Sequence, residues 1–138
     1  MATGYRFSSD NADIDRDRVH AWLSEQSYWA EGRARETQDA AIDGSRNYAV
    51  LDGEGVQVAY ARVVTDAVTF AWLCDVFVDP AERGNGVGKL LVEGVVADIE
   101  QTPIKRIILA TADAHGLYAQ YGFAPSEDPN RYMIRTRA

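Results

Sequence analysis

A glycine-rich turn between two apolar segments is the stretch of the sequence best suited to bind a ligand. Its members, between Arg83 and Lys89, are Gly84, Asn85, Gly86, Val87 and Gly88. Glycines let a chain turn sharply and let a ligand come close to the backbone. The apolar spacing from Val87 onward predicts a helix, whose first N–H groups have no partner within the helix. The loop and the helix start therefore predict an anion site, most naturally for phosphate, with Arg83 and Lys89 adding positive charge.

Two well-known phosphate-binding loops do not fit this turn. A Walker A loop needs a glycine where Arg83 stands and a serine or threonine where Leu90 stands. A dinucleotide-binding fingerprint needs its third glycine where Lys89 stands. The pattern that remains, Arg-x-x-Gly-x-Gly at Arg83, Gly86 and Gly88, resembles the acyl-CoA-binding motif of the GCN5-related N-acetyltransferase (GNAT) family. On the residues alone, a glycine-rich turn without a ligand stays open as the alternative.

A second segment resembles the other signature of the same family. It reads His115-Gly-Leu-Tyr-Ala-Gln-Tyr-Gly-Phe123 and is similar to the family's short helix with the pattern Leu-Tyr-x-x-x-Gly-Phe. Two signatures in the right order, with a predicted strand between them, are much more specific than one. The resemblance extends over residues 47–123. It implies one N-acetyltransferase domain, residues 1–138, that uses acetyl-CoA as co-substrate to acetylate a primary amine of a small molecule or peptide.

The resemblance also implies roles for individual residues. The loop from Arg83 to Lys89 should hold the pyrophosphate of acetyl-CoA. Three residues of the preceding strand should offer main-chain groups to its pantetheine arm: Val76, Phe77 and Val78. Tyr118 matches the tyrosine that in many members protonates the departing CoA thiolate. Thr111 stands where many members have an asparagine that contacts the cofactor, so we expect its hydroxyl to replace that amide only in part.

Acetyl transfer from a thioester to an amine requires a neutral amine, a polarised carbonyl and a stabilised thiolate. A backbone amide near Val76 or Phe77 is suited to polarise the carbonyl. Tyr118 can donate a proton to the thiolate, although the same side chain could simply pack on its helix. Direct attack needs no covalent intermediate. Cys74 is therefore interpreted as a small buried hydrophobe and not as an acyl carrier.

Asp75 interrupts an apolar run that reads Leu-Cys-Asp-Val-Phe-Val. Carboxylates are rarely buried without a partner or a task. Asp75 could bind the substrate ammonium or take its proton, or it could be a structural carboxylate at a strand bulge, and the sequence leaves both open. Four aromatic residues complete the predicted acceptor site: Trp22, Tyr28, Trp29 and Trp72. With Asp75 they would suit a cationic, partly apolar amine, although aromatic rings also pack in cores.

The apolar periodicity and the resemblance together predict an α/β (α+β) fold with a mixed, mostly antiparallel sheet, a central parallel pair and helices on both faces. We expect helices over residues 15–26, 35–43, 87–100 and 115–121. We expect strands over residues 3–7, 47–51, 56–64, 68–78, 107–110 and 131–136. Short turns between the second, third and fourth strands require antiparallel pairing, whereas the strand–helix–strand passage after residue 68 favours a parallel, right-handed crossover.

Composition narrows the classes of partner. The chain has 138 residues, of which 46% are hydrophobic and 25% are charged, as is ordinary for a soluble domain. Its formal net charge of −7 disfavours nucleic acid as a partner. Without a long apolar run or an apolar leader, we expect no membrane contact and no secretion. One cysteine and two histidines favour a reducing, cytoplasmic compartment and no metal site.

Three questions stay open at the level of sequence. A protein with this fold could hold acyl-CoA or a peptide without turnover, which is the alternative to an enzyme. Transfer to a hydroxyl is a weaker third hypothesis, and no pattern names the acceptor. Dimers are frequent in the family, so a homodimer is a further hypothesis.

Overall fold

The computed structural model describes residues 3–137 and contains a five-stranded sheet. The strands, in chain order, are β1 (Arg6–Ser8), β2 (Arg46–Leu51), β3 (Gln57–Thr65), β4 (Ala71–Val78) and β5 (Ile107–Ile108). They lie side by side in the same order, and neighbours are antiparallel except β4 and β5, which are parallel. The mixed, mostly antiparallel sheet confirms the predicted fold class.

In the described part of the chain four α-helices accompany the sheet: α1 (Arg16–Gln26), α2 (Arg35–Asp43), α3 (Val87–Ile99) and α4 (His115–Ala119). The side chain of Asp15 caps α1 by accepting a hydrogen bond from the backbone N–H of Arg18. The starts of α2, α3 and α4 fall at the predicted residues, whereas α4 ends two residues early. Within residues 3–137, no helix has both the length and the apolar character that a membrane span needs.

The helices cover both faces of the sheet, as predicted. On one face, Leu91 and Val95 of α3 pack with Val63 of β3 in the larger buried cluster. On the other face, Leu23 of α1 and Ile42 of α2 belong to a second buried cluster. The sheet is therefore buried from both sides along its middle strands.

A bulge in β4 changes the face to which its side chains point. The register with β3 shifts between Tyr60 and Arg62, where β4 carries one extra residue. Before the bulge Leu73 packs in the cluster of α3, and after it Phe77 packs in the cluster of α1 and α2. Side chains alternate along a strand with a period of two, so one extra residue explains the change. Asp75 lies at this bulge with a φ of 53°.

The prediction of a last strand over residues 131–136 is wrong. Pro129–Arg131 form a 3₁₀ turn, and residues 132–137 join no strand. Met133 and Ile134 are 95% and 92% exposed, so the alternating pattern of this segment covers no apolar surface. As a result, β5 stays at the edge of the sheet, and the parallel pair lies at the edge and not in the centre. The strand predicted over residues 107–110 is also shorter than expected, since β5 has only two residues.

Candidate active site

The glycine-rich loop connects β4 to α3 and leaves the start of that helix without a side-chain cap. Gly84 and Gly86 adopt φ values of 88° and 80°, in the left-handed region that favours glycine. Gly86 is the N-cap of α3, and its carbonyl accepts a hydrogen bond from Leu90 N at 3.1 Å. The N–H groups of Val87, Gly88 and Lys89 have no partner within the helix, because they precede its first complete turn. These N–H groups are therefore donors available to an anion.

The side chains around the loop hold it in place. Asn85 donates a hydrogen bond to the Tyr5 hydroxyl at 3.3 Å, and that hydroxyl donates to Glu82 at 3.2 Å. Arg83 donates through Nε to the carbonyl of Val78 at 3.1 Å, and its guanidinium lies 5.3 Å from the centre of the Phe77 ring. Arg83 thus stays beside the loop with its two terminal nitrogens still able to donate.

One edge of β4 is open next to this loop. β4 pairs with β5 at Ala71–Ile107 and Trp72–Ile108. Beyond Trp72, β4 continues to Val78, and no strand lies beside it on that edge within residues 3–137. An unpaired edge presents main-chain donors and acceptors to a ligand. The predicted contact segment, residues 76–78, belongs to this free part of β4.

Tyr118 lies on α4, close to a cavity of about 750 Å³ between β5, α4 and residues 123–132. The side chain is 8% exposed, and its ring packs edge-to-face on Phe123 at 5.8 Å between the ring centres. Burial, with smaller contributions from Asp113 and Tyr28, raises the pKa of Tyr118 to about 12. The hydroxyl is therefore protonated at neutral pH, as a proton donor must be.

Thr111 and His115 are among the other polar residues that line the same cavity. The Thr111 hydroxyl accepts a hydrogen bond from the backbone N–H of Ala114 at 3.0 Å, just before α4 begins. Its hydroxyl proton is still available to donate. His115 also lines the cavity, at the first residue of α4.

Asp75 is buried and bound by three side chains. Its carboxylate accepts hydrogen bonds from Arg33 Nη1 at 2.8 Å, Arg62 Nε at 2.9 Å and Trp29 Nε1 at 3.0 Å. Burial alone would raise the pKa of Asp75, but the hydrogen bonds and charges of Arg33 and Arg62 outweigh burial and hold the pKa below its usual range. The partners of this carboxylate at the bulge are therefore side chains from three other parts of the chain.

The four aromatic residues of the predicted acceptor site occupy different surroundings. Trp22 is 4% exposed and stacks on Phe77, so its ring belongs to the core. Trp72 is half-buried in β4. Tyr28 and Trp29, between α1 and α2, are 59% and 46% exposed and pack edge-to-face at 5.0 Å. Of the four, Trp29 is the one whose ring nitrogen contacts Asp75.

Cys74 stays a thiol at neutral pH. Burial raises its pKa to about 11, with Asp75 adding to the effect and the two arginines opposing it. A thiol with this pKa is a poor nucleophile, which fits the interpretation of Cys74 as packing.

Arg33 and Arg62 are the site residues that sequence reasoning missed. Arg62 lies inside an apolar strand, opposite Cys74. Like Asp75, it is a charged residue in an apolar run and therefore needs a partner or a task. The opposite charges of Arg62 and Asp75, in neighbouring predicted strands, could have indicated from the sequence that the two side chains pair. Arg33 follows a glycine in a connection between helices and carries no comparable signal.

The comparisons with known proteins agree with the geometry. Residues 16–123 match the sequence profile described as the Acetyltransferase (GNAT) family. The crystal structure of a protein assigned to that family from Xanthomonas campestris pv. campestris is 41% identical, has a TM-score of 0.89 and covers 96% of this chain and 93% of that one. Serotonin N-acetyltransferase 2, chloroplastic, of Oryza sativa subsp. japonica is 38% identical over 85 residues, which are 61% of this chain and 42% of that protein.

A more distant structure shares the fold. Rv2747 of Mycobacterium tuberculosis, solved in complex with CoA, is 17% identical and has a TM-score of 0.73 over 88% of this chain and 73% of that one. The profile covers most of the chain, and the Xanthomonas protein is similar over nearly all of it. This chain therefore belongs to the GNAT family of acetyltransferases.

Proposed function

We propose that this chain is an acetyl-CoA-dependent N-acetyltransferase that acts on a primary amine by direct attack, with Tyr118 as general acid. The observation that carries the proposal is the uncapped, glycine-rich start of α3 beside the free edge of β4. A pyrophosphate needs several N–H donors and positive charge, and a pantetheine arm needs main-chain partners. Both sets of groups lie at one end of β4.

The residues present fit acetyl-CoA as a substrate. The N–H groups of residues 87–89 would hold the pyrophosphate, with Arg83 and Lys89 adding charge. The free edge of β4 at residues 76–78 would bind the pantetheine arm, and an N–H near the bulge would polarise the thioester carbonyl. The hydroxyl of Thr111 is a further candidate contact. Acetyl-CoA supplies the activated acetyl group when bound.

Tyr118 would provide the proton for the leaving thiolate. Its pKa of about 12 lies above that of an ordinary thiol, so transfer of the proton to the thiolate is uphill at equilibrium. A hydrogen bond to the developing thiolate still lowers the barrier. The amine nitrogen would lose its proton to water after the attack, and proton exchange with water would restore Tyr118 and complete the thiol. The gain expected from a general acid is roughly 10²–10⁴-fold in rate.

The acceptor would enter beside the exposed aromatic pair. Trp29 donates a hydrogen bond to Asp75 at the bulge of β4, and this contact supports an acceptor site beside the strand that would hold the thioester. The rice relative is named for serotonin, which is a primary alkylamine that carries an indole ring. A partly apolar amine that contacts Tyr28 and Trp29 is the acceptor class we propose. Because Asp75 is already bound by two arginines, we do not place the substrate ammonium on its carboxylate.

The test is release of CoA thiol from acetyl-CoA in the presence of a panel of amines, with the product identified by mass. Acetylated product from at least one primary amine, and none from alcohols of the same shape, would support the proposal. Tight acetyl-CoA binding with no product from any acceptor would favour the binding module instead. Acetylation of the alcohols at the same rate would overturn the choice of an amine.

A further inference from the structure

Local hydrogen bonds, made by the Ser27 side chain and by the backbone, shape the connection between α1 and α2. Ser27 Oγ donates to the carbonyl of Leu23 at 2.7 Å and accepts from Ala30 N at 3.1 Å. Gly32 N donates to Ser24 O at 2.9 Å. These bonds set the path of the chain, but none of them is made by the ring nitrogen of Trp29.

A single polar contact orients that ring. Trp29 is 46% exposed, yet its Nε1–H reaches a carboxylate whose side chain is only 2% exposed. Tyr28 packs edge-to-face on the Trp29 ring, so the orientation of Trp29 also constrains Tyr28. The contact with Asp75 thus fixes two exposed aromatic rings at once.

The carboxylate is itself rigid. Arg62 donates to it from β3, and Arg33 donates to it from the end of the connection. Arg33 Nη1 also donates to Gln38 of α2 at 3.0 Å, and Arg62 Nη1 donates to Ser45 at 3.1 Å. Asp75 therefore joins β3, β4 and the connection between α1 and α2 at one point.

We propose that Asp75 is a positioning residue that holds Trp29, and through it Tyr28, as one wall of the acceptor site. This inference rests on the proposed function for its catalytic consequence. It assigns the buried carboxylate a part in acceptor binding and none in proton transfer. A general base would have to release its arginine partners or take a proton while bound to them, and either is costly in a buried ion pair.

Two substitutions separate positioning from base catalysis. Trp29→Phe keeps an aromatic ring but removes the Nε1–H donor. Asp75→Asn keeps the shape and suits the left-handed backbone, since asparagine tolerates positive φ. We expect Trp29→Phe to raise the KM for the acceptor about 10-fold, in line with loss of one hydrogen bond to a charged group, with kcat changed less than about twofold. The KM for acetyl-CoA should stay the same.

Asp75→Asn should raise the KM for the acceptor at least as much as Trp29→Phe does, and the double variant should match Asp75→Asn alone. Asp39→Asn is the matched control, because Asp39 also lies between two arginines, Arg16 and Arg35, but on the surface of α2. It should leave both KM values unchanged. A large loss of kcat in Asp75→Asn, with Trp29→Phe as active as the unchanged chain, would identify Asp75 as a base and overturn the proposal.

Quenching of tryptophan fluorescence by acrylamide gives a second measurement that needs no turnover. Asp75→Asn should increase quenching in the chain that contains Trp29, and should not do so in the Trp29→Phe background. Equal quenching with and without the Asp75 carboxylate would show that Asp75 does not hold the Trp29 ring, and would overturn the proposal. If the Asp75→Asn substitution increases quenching but the unchanged chain transfers no acetyl group, Asp75 does hold the Trp29 ring, and only the proposed function is refuted.

Discussion

Replacing Gly86 with leucine should weaken acetyl-CoA binding by an effect that is distinct from its cost in the stability of the fold. Gly86 has a φ of 80°, so any L-residue there costs roughly 1–2 kcal/mol in backbone strain. The substitution also places a side chain at the N-cap of α3, where the proposed pyrophosphate approaches the N–H groups of residues 87–89. Hydrogen bonds to a charged group contribute about 1.5–3 kcal/mol each, so the loss of two should weaken acetyl-CoA binding by at least about 100-fold.

Gly55→Leu is the matched control. Gly55 has a φ of 83° in the exposed turn between β2 and β3, and nothing lies within 4 Å of an added Cβ. Both variants should lose a similar free energy of unfolding, measured by urea denaturation. Calorimetric titration should show weakened acetyl-CoA binding in Gly86→Leu alone. Equal affinity in the two variants would refute the assignment of this loop to the pyrophosphate.

Three further predictions address the acid, the buried carboxylate and the packing of α3. Tyr118→Phe should lower kcat by about 10²–10⁴-fold with little change in acetyl-CoA affinity, and a rate equal to that of the unchanged chain would reduce Tyr118 to packing. In the folded chain the pKa of Asp75 is held below its unfolded value of about 4. The ionised carboxylate therefore stabilises the fold above pH 4, and this stabilisation is lost as the pH falls through the pKa of the folded state. Asp75→Asn should therefore cost about 3–5 kcal/mol of unfolding free energy at pH 7 and less at pH 3, and a cost that does not depend on pH would contradict this. A Cβ on Gly94 would lie 2.3 Å from Phe7 Cδ1, so Gly94→Ala should destabilise the chain by roughly 1–3 kcal/mol. Gly116→Ala is the control, because the new Cβ has open space around it and should not destabilise the chain. Equal denaturation midpoints for these two variants would count against the close packing of β1 on α3.

The sequence is sufficient for most of the fold because the apolar periods are long and end at clear signals. The helix over residues 87–99 and the meander of β2, β3 and β4 follow from periods of 3.6 and 2 with glycine and proline at their ends. The segment over residues 131–136 shows the limit of this reasoning. Its alternation is typical of a strand, but a strand also needs a partner edge and a covered face, and local pattern specifies neither.

The same limit applies to the site. The loop before α3 is predictable because its chemistry is local and lies in consecutive residues. The environment of Asp75 depends on Arg33, Arg62 and Trp29, which come from three separate parts of the chain. The positive φ at Asp75 also breaks the expected alternation of β4, and this bulge decides which face the carboxylate reaches. Contacts of this kind follow from tertiary packing and not from spacing.

Calorimetric titration of acetyl-CoA into the unmodified chain is the decisive experiment for the assignment of residues 83–89 to acetyl-CoA binding. We expect binding at a single site in the micromolar range, with CoA competing for the same site. We also expect that raising the salt concentration weakens the binding, because charge and helix N–H groups hold the pyrophosphate. The absence of any binding at millimolar acetyl-CoA would contradict the assignment of residues 83–89, and with it the proposed reaction.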